Sequence, residues 1–121
     1  MKKLVILCAE SFLYFEAVKD RIEHTCPHLE VVYAQNWKQA VGLVGKNCLV
    51  ITSSIVAGGE SDNPTSASLL LLKGAKEKHP ETKVILYSAG FSPANTSGFD
   101  LAICNTGAKS TERLFREINN F

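Results

Sequence analysis

Two kinds of segment alternate along this chain: short, continuous apolar runs and stretches in which apolar residues recur with helical spacing. There are five runs, Leu4 to Cys8, Val31 to Ala34, Leu49 to Thr52, Val84 to Tyr87 and Leu101 to Cys104. Because they are apolar throughout instead of at alternate positions, they are typical of strands covered on both faces. The pattern predicts an α/β fold with a doubly wound, five-stranded parallel sheet of order 2-1-3-4-5.

The first two connections between runs carry helix signals. After the first run, apolar residues recur at helical spacing and predict a helix with one apolar face, formed by Phe12, Phe15, Val18 and Ile22. Pro27 is expected to end this helix. After the second run, Asn36 is a good N-cap with Gln39 three residues later. A second helix is therefore predicted from Trp37 to about Val44.

The later connections differ in strength. Residues 57–66 are rich in small polar residues, glycine and proline, which predicts a loop, and a helix is expected from Leu69 to Lys78. Its four adjacent leucines, 69–72, encircle a helix, so at least one should be partly exposed. Ser92 and Pro93 favour one or two turns only. Ser110 is a candidate cap for a last helix with the apolar stripe Leu114, Phe115, Ile118 and Phe121.

Composition narrows the functional classes. The 121 residues fit a single domain, 1–121, with 45% apolar residues and a formal charge of only +1. No strongly basic cluster is present, which argues against nucleic-acid binding, and no apolar stretch approaches the roughly 20 residues that span a membrane. The four cysteines have no paired spacing, so we expect reduced thiols in a cytoplasmic protein.

Three segments carry a resemblance to a known family. The stretch from Lys3 to Glu10 is similar to a first strand and acidic turn, Leu72 to Ala89 to a third helix and fourth strand, and Gly98 to Cys104 to a fifth strand. In these segments the chain resembles the receiver domains of bacterial response regulators, the CheY-like family. The resemblance implies a flavodoxin-like, three-layer fold and a role in signal transduction.

The residues that such receivers use for phosphoryl transfer are replaced here. The acidic pair that holds magnesium falls on Cys8 and Ala9, which leaves Glu10 as the nearby carboxylate. The phosphorylated aspartate falls on Ser53 and the lysine on Asn105, while the hydroxyl after strand four is kept as Ser88. The resemblance therefore implies a degenerate receiver, or pseudo-receiver, of an atypical two-component system, with no cofactor, no metal and no enzymatic activity.

The same resemblance suggests where a partner would bind. The strand-five aromatic that reports phosphorylation falls on Ala102, and the output face would include Lys109, Arg113, Arg116 and Phe121. We expect a protein partner or a fused output domain there, with a homodimer as an open alternative.

A second hypothesis belongs to a different functional class. Cys8 stands at the end of strand one, where some small flavodoxin-like enzymes place a nucleophilic cysteine before a phosphate-binding loop. In that case the chain would be an enzyme, or a binder of phosphate or another small molecule in the cleft near Ser53 and Ser88. The residues after Cys8 argue against it, because they lack glycine and arginine and include Glu10.

Overall fold

A parallel sheet of five strands forms the centre of the structure, a computed structural model that describes residues 3–9, 11–53, 64–88 and 98–121. The strand order is β2-β1-β3-β4-β5, as predicted. The strands are β1 (Lys3–Cys8), β2 (Leu29–Ala34), β3 (Cys48–Thr52), β4 (Lys83–Ser88) and β5 (Leu101–Cys104). Glu10, residues 57–63 and the predicted turns at Ser92 and Pro93 lie outside the described residues.

Helices cover both faces of the sheet and create two cores. They are α1 (Glu16–Thr25), α2 (Trp37–Leu43), α3 (Pro64–Lys78) and α4 (Ala108–Asn119). Strand residues alternate between the faces: Val5 and Leu7 pack with α1 and α4, whereas Ile6 and Cys8 pack with α2 and α3. In the part of the chain that the structure describes, no helix has the length and apolar character needed to cross a membrane.

The region before α1 differs from its prediction. A 3₁₀ turn, Phe12–Tyr14, precedes the helix, so α1 begins at Glu16. Phe15, Val18 and Ile22 are buried as expected. Phe12 is 41% exposed and is not part of the buried face of α1. Its ring meets the ring of Tyr33 edge to face, with the centroids 5.0 Å apart.

The pair α2 and α3 confirms one prediction and corrects another. Asn36 caps α2, because its Oδ1 accepts a hydrogen bond from the Gln39 amide at 2.8 Å. Helix α3 begins at Pro64, earlier than predicted, since proline is well accommodated in a first turn. Leu71 and Leu72 of α3 are buried, while Leu69 and Leu70 are partly exposed, as the run of four leucines indicated.

Helix α4 starts differently from the prediction. Gly107, at φ 149°, is its N-cap, and Ser110 lies inside the first turn. The Ser110 hydroxyl accepts from the amides of Thr106 and Gly107 at 3.1 and 3.2 Å and donates to the Gly107 carbonyl at 2.7 Å. Leu114, Phe115 and Ile118 are buried. Phe121 lies beyond the helix, where its carbonyl accepts a hydrogen bond from Lys3 Nζ.

Candidate functional site

The ends of β1 and β3 meet at the point where the strand order reverses, which is where ligands bind in folds of this type. Cys8 is the last residue of β1, and Ala9 follows it; both are buried. Ser53, directly after β3, is also buried, and its amide donates to the Cys8 carbonyl at 3.0 Å. The structure therefore brings together Cys8, Ala9 and Ser53, which we call the β1–β3 end.

Cys8 at this end is a neutral thiol. Its side chain is fully buried in the core under α2 and α3, beside Ile6 and Ala34. Burial raises the pKa of the Cys8 thiol to about 12 because an apolar environment disfavours the thiolate. The side chain consequently behaves as a small apolar group at neutral pH.

Tyr33 of β2 covers the β1–β3 end and was not identified from the sequence. Its hydroxyl donates to the Ala9 carbonyl at 2.6 Å, and Phe12 packs against its ring. Burial and the neighbouring Cys8 raise the pKa of Tyr33, so the phenol keeps its proton. The sequence did not predict this position, because it depends on the pairing of Tyr33 with Leu7 across the parallel strands.

The ends of β4 and β5 have a different chemistry. Ser88 is the buried last residue of β4, and its carbonyl accepts from the Asn105 amide at 2.8 Å. The Asn105 side chain bridges two phenols: Tyr87 OH donates to Oδ1 at 3.0 Å, and Nδ2 donates to Tyr14 OH at 3.4 Å. Asn105 is thus held by tyrosines, not by an ion pair.

Two further contacts complete this group. Tyr14 OH donates to the Tyr87 carbonyl at 3.0 Å, and Tyr87 OH lies 3.2 Å from Thr111 Oγ1. Burial raises the pKa of Tyr14, and hydrogen bonds with Asn105 and Ser88 partly oppose that rise. We call Tyr14, Tyr87, Asn105 and Thr111 the tyrosine cluster. Of these four residues, only Asn105 was identified as a site residue from the sequence. Tyr87 could have been identified as well, because a tyrosine at the end of an apolar run places a hydroxyl at the edge of the sheet.

A pocket of about 360 Å³ opens above the tyrosine cluster, between α1 and α4. Ala17, Val18 and Phe115 form its walls together with the cluster. At its rim, the Arg21 guanidinium lies 4.0 Å from the centroid of the Phe115 ring and makes two hydrogen bonds to Glu112, at 2.9 and 3.3 Å. This α1–α4 pocket was not predicted, because its residues are far apart in the chain.

The predicted partner contacts are only partly brought together. The exposed residues Lys109, Arg113 and Arg116 line one surface depression on α4, and none of them pairs with an acidic residue that the structure describes. Ala102 is half-buried on β5, opposite Leu86 of β4. Phe121 packs at the edge of the core under the Lys3 ammonium group, 5.2 Å from its ring centroid.

Among known proteins, similarity to this chain is found in solved structures. No protein-family model matches the sequence, and no curated protein matches it either. Solved structures do match. A response regulator from Thermotoga maritima is 25% identical, with a TM-score of 0.69, over 98% of this chain and 99% of its own. The chain has the fold of response-regulator receiver domains.

Two other structures with the receiver fold agree. The response regulator TrrA from Thermotoga maritima, solved with magnesium and beryllofluoride, is 18% identical with a TM-score of 0.72, over 99% of this chain and 98% of its own. The non-phosphorylated HemR receiver domain from Leptospira biflexa is also 18% identical, with a TM-score of 0.74, over 98% of this chain and 93% of its own. The receiver fold supports a response-regulator-like module.

Proposed function

We propose that this chain is a pseudo-receiver: a cytoplasmic regulatory module that binds a protein partner or an output domain without being phosphorylated. The observation that carries the proposal is that the described residues of the β1–β3 end, Cys8, Ala9 and Ser53, include no carboxylate. Cys8 and Ala9 occupy the positions of the acidic pair in the receivers that the sequence resembles, and both are buried. The receiver fold supports the regulatory part of this proposal.

The ligand chemistry of this end is unsuited to magnesium. Mg²⁺ requires oxygen ligands in near-octahedral geometry and is usually held by carboxylates. Cys8 offers a protonated thiol and Ala9 a methyl group. The Ala9 carbonyl is an oxygen that could serve, and one of its two lone pairs already accepts a hydrogen bond from Tyr33. Neither side chain supplies the carboxylate that usually holds Mg²⁺ in proteins.

The positions of phosphoacceptor and lysine are also unfavourable for phosphoryl transfer. Ser53 would need an adjacent base to become a nucleophile. Asn105 stands where receivers carry a lysine, and its amide is held by Tyr87 and Tyr14. An amide carries no positive charge to neutralise a phosphoryl group, so phosphoryl transfer is not supported at either position.

The alternative of a cysteine enzyme receives no support from the site. A nucleophilic cysteine needs a lowered pKa and access to its substrate. Cys8 has neither, since it is fully buried and its pKa is raised to about 12.

The outer face of α4 is the proposed binding surface. Lys109, Arg113 and Arg116 present three positive charges there, and the acidic residue of the same depression, Glu112, is paired with Arg21. With a net charge of +1 for the whole chain, this local excess favours an acidic protein surface over nucleic acid, which usually requires a more basic domain. A second copy of this chain is a further candidate partner.

Phosphorylation is tested directly. The chain is incubated with acetyl phosphate and Mg²⁺, and its intact mass is measured; ¹⁹F NMR with beryllofluoride and Mg²⁺ gives a second readout. TrrA, which forms a beryllofluoride complex with Mg²⁺, is the positive control. We expect no phosphoryl adduct and no bound fluoride signal in this chain. A stoichiometric adduct would refute phosphorylation-independence.

Partner binding is tested by affinity capture from native cells. The triple variant Lys109→Glu, Arg113→Glu, Arg116→Glu should lose the captured partner, because it reverses the charge of the proposed surface. The triple variant Lys38→Glu, Lys46→Glu, Lys73→Glu is the matched control, since it changes the net charge by the same amount at exposed lysines outside α4. Equal capture by both variants would place the partner elsewhere.

A further inference from the structure

The α1–α4 pocket has the size and composition of a small-molecule site. Its volume, about 360 Å³, lies in the lower part of the range for ligand pockets. Apolar groups, Ala17, Val18 and the ring of Phe115, form the walls, and the hydroxyls and amide of the tyrosine cluster form the floor. A concave apolar site with a few convergent polar groups is the usual architecture of a binding pocket.

The floor of the pocket is held in one orientation before any ligand arrives. Tyr87 OH and Tyr14 OH fix the two ends of the Asn105 amide, so the oxygen and the nitrogen cannot exchange places without breaking both bonds. Rings behind the floor are packed as well: Phe15 stacks with Tyr87 at 6.3 Å between centroids and meets Tyr14 edge to face at 4.9 Å. Such preorganisation lowers the entropy cost of binding.

The Asn105 amide offers a donor beside an acceptor. A side-chain amide has two N–H donors and an oxygen with two lone pairs. Among the described residues, Nδ2 has one partner, Tyr14, and Oδ1 has one partner, Tyr87. One donor and one acceptor of this side chain therefore have capacity left, and a side-chain amide with both groups available can hold the edge of a heteroaromatic ring.

The charges around the pocket favour a neutral compound. Arg21 is the one cation among the lining residues, and its guanidinium already makes two hydrogen bonds to Glu112. The remaining polar groups of the lining are hydroxyls and an amide. A carboxylate or phosphate ligand would have to compete with Glu112 for Arg21, whereas a neutral ring leaves that ion pair intact and packs beside it.

We infer that the α1–α4 pocket binds a small, neutral heteroaromatic compound whose ring edge carries a hydrogen-bond donor next to an acceptor. The ring would lie beside Ala17 and the Arg21 guanidinium, which covers the face of the almost fully buried Phe115. Its polar edge would meet the Asn105 amide, with the Thr111 hydroxyl alongside. This inference is independent of the proposed interaction through α4.

The test uses adenine as the probe in an NMR titration of the full chain. Adenine has an amino group beside a ring nitrogen and is neutral, so we expect saturable shifts of Asn105, Thr111 and the amides near Ala17, with a dissociation constant of about 1 mM or tighter. The pair 9-methyladenine and N6,N6,9-trimethyladenine isolates the exocyclic donor, because neither compound has a ring N–H; the second should bind at least about fivefold more weakly than the first. Benzoate, which is aromatic but anionic, should bind more weakly than adenine.

Two variants locate the site. Ala17→Leu fills the pocket from an exposed helix position and should weaken adenine binding at least about tenfold without unfolding the protein. Ala108→Leu, an equally exposed alanine outside the pocket, is the matched control and should bind adenine as the parent chain does. The inference is overturned by absence of saturation at millimolar adenine, by tighter binding of benzoate, or by unchanged binding to Ala17→Leu.

Discussion

The β1–β3 end and the tyrosine cluster lie at the same edge of one sheet, yet their interiors are opposite in character. Cys8 and Ala9 are buried among apolar groups, and the hydroxyl of Tyr33 closes that end from outside. In the tyrosine cluster, phenols and an amide bond to one another and border an open pocket.

This difference shows that the receiver fold alone does not determine the chemistry at the ends of its strands. The parallel sheet fixes where the side chains after each strand meet, while the identity of those side chains decides whether the meeting point is apolar or polar. The following experiments test whether the two ends are as different in energy as in composition.

The largest expected contrast is in thiol reactivity. With a pKa of about 12 instead of the usual 9.0, Cys8 has about a thousandfold less thiolate near neutral pH. Native Cys8 should therefore react with iodoacetamide at least about a thousandfold more slowly than the exposed Cys104, measured site by site with mass spectrometry. Similar rates for the two thiols would show that the β1–β3 end is open.

The cost of a buried charge, measured as the loss in free energy of unfolding, should also differ between the two ends. Cys8→Asp puts a carboxylate into the apolar core and should lower the free energy of unfolding by about 3–5 kcal/mol, measured by urea denaturation. Asn105→Asp makes the same kind of change at a half-buried position where Tyr87 OH already donates a hydrogen bond, so its loss should be about 1 kcal/mol. Equal losses would contradict the contrast.

Removal of single phenol hydroxyls compares the hydrogen bonds of the two ends. Tyr87→Phe removes bonds to Asn105 and Thr111 and should cost about 2 kcal/mol. Tyr33→Phe removes one bond, to Ala9, and should cost about 1 kcal/mol. Thermal unfolding of both variants measures the order, and a larger loss for Tyr33→Phe would reverse it.

The smallest effect measured is an alkaline loss of stability, about 1 kcal/mol between about pH 9 and pH 10. Above pH 9 the unfolded chain loses the Cys8 proton while the folded chain keeps it until about pH 12, so stability falls through that window. The slope should approach about 1.4 kcal/mol per pH unit for this one group. Cys8→Ala should remove that contribution in urea titrations at pH 9 and 10; an unchanged slope would show that Cys8 does not cause it.

Much of the fold could be predicted from the sequence, because unbroken apolar runs identify buried parallel strands irrespective of distant contacts. The predictions failed where backbone geometry decided the outcome. Phe12 fits a helical stripe but lies in a 3₁₀ turn, and Ser110 looks like a cap although Gly107 takes that place. Pro64 begins a helix inside a segment whose composition indicated a loop.

The candidate site was less predictable than the fold. Cys8, Ala9 and Ser53 could be placed together, since each follows or ends an apolar run that points to the same sheet edge. Tyr33 and Thr111 could not, because their roles depend on strand register and on the approach of α4. Neither property is encoded in local spacing.

The hydrogen bond between Lys3 Nζ and the Phe121 carbonyl brings the two extremities of the described chain side by side. When ends are this close, a short glycine-rich linker can join them and the polypeptide can be opened at another surface position, giving a circular permutant with the same sheet. Such rewired versions would let a reporter protein be attached at a chosen loop, far from both the basic face of α4 and the pocket beside α1.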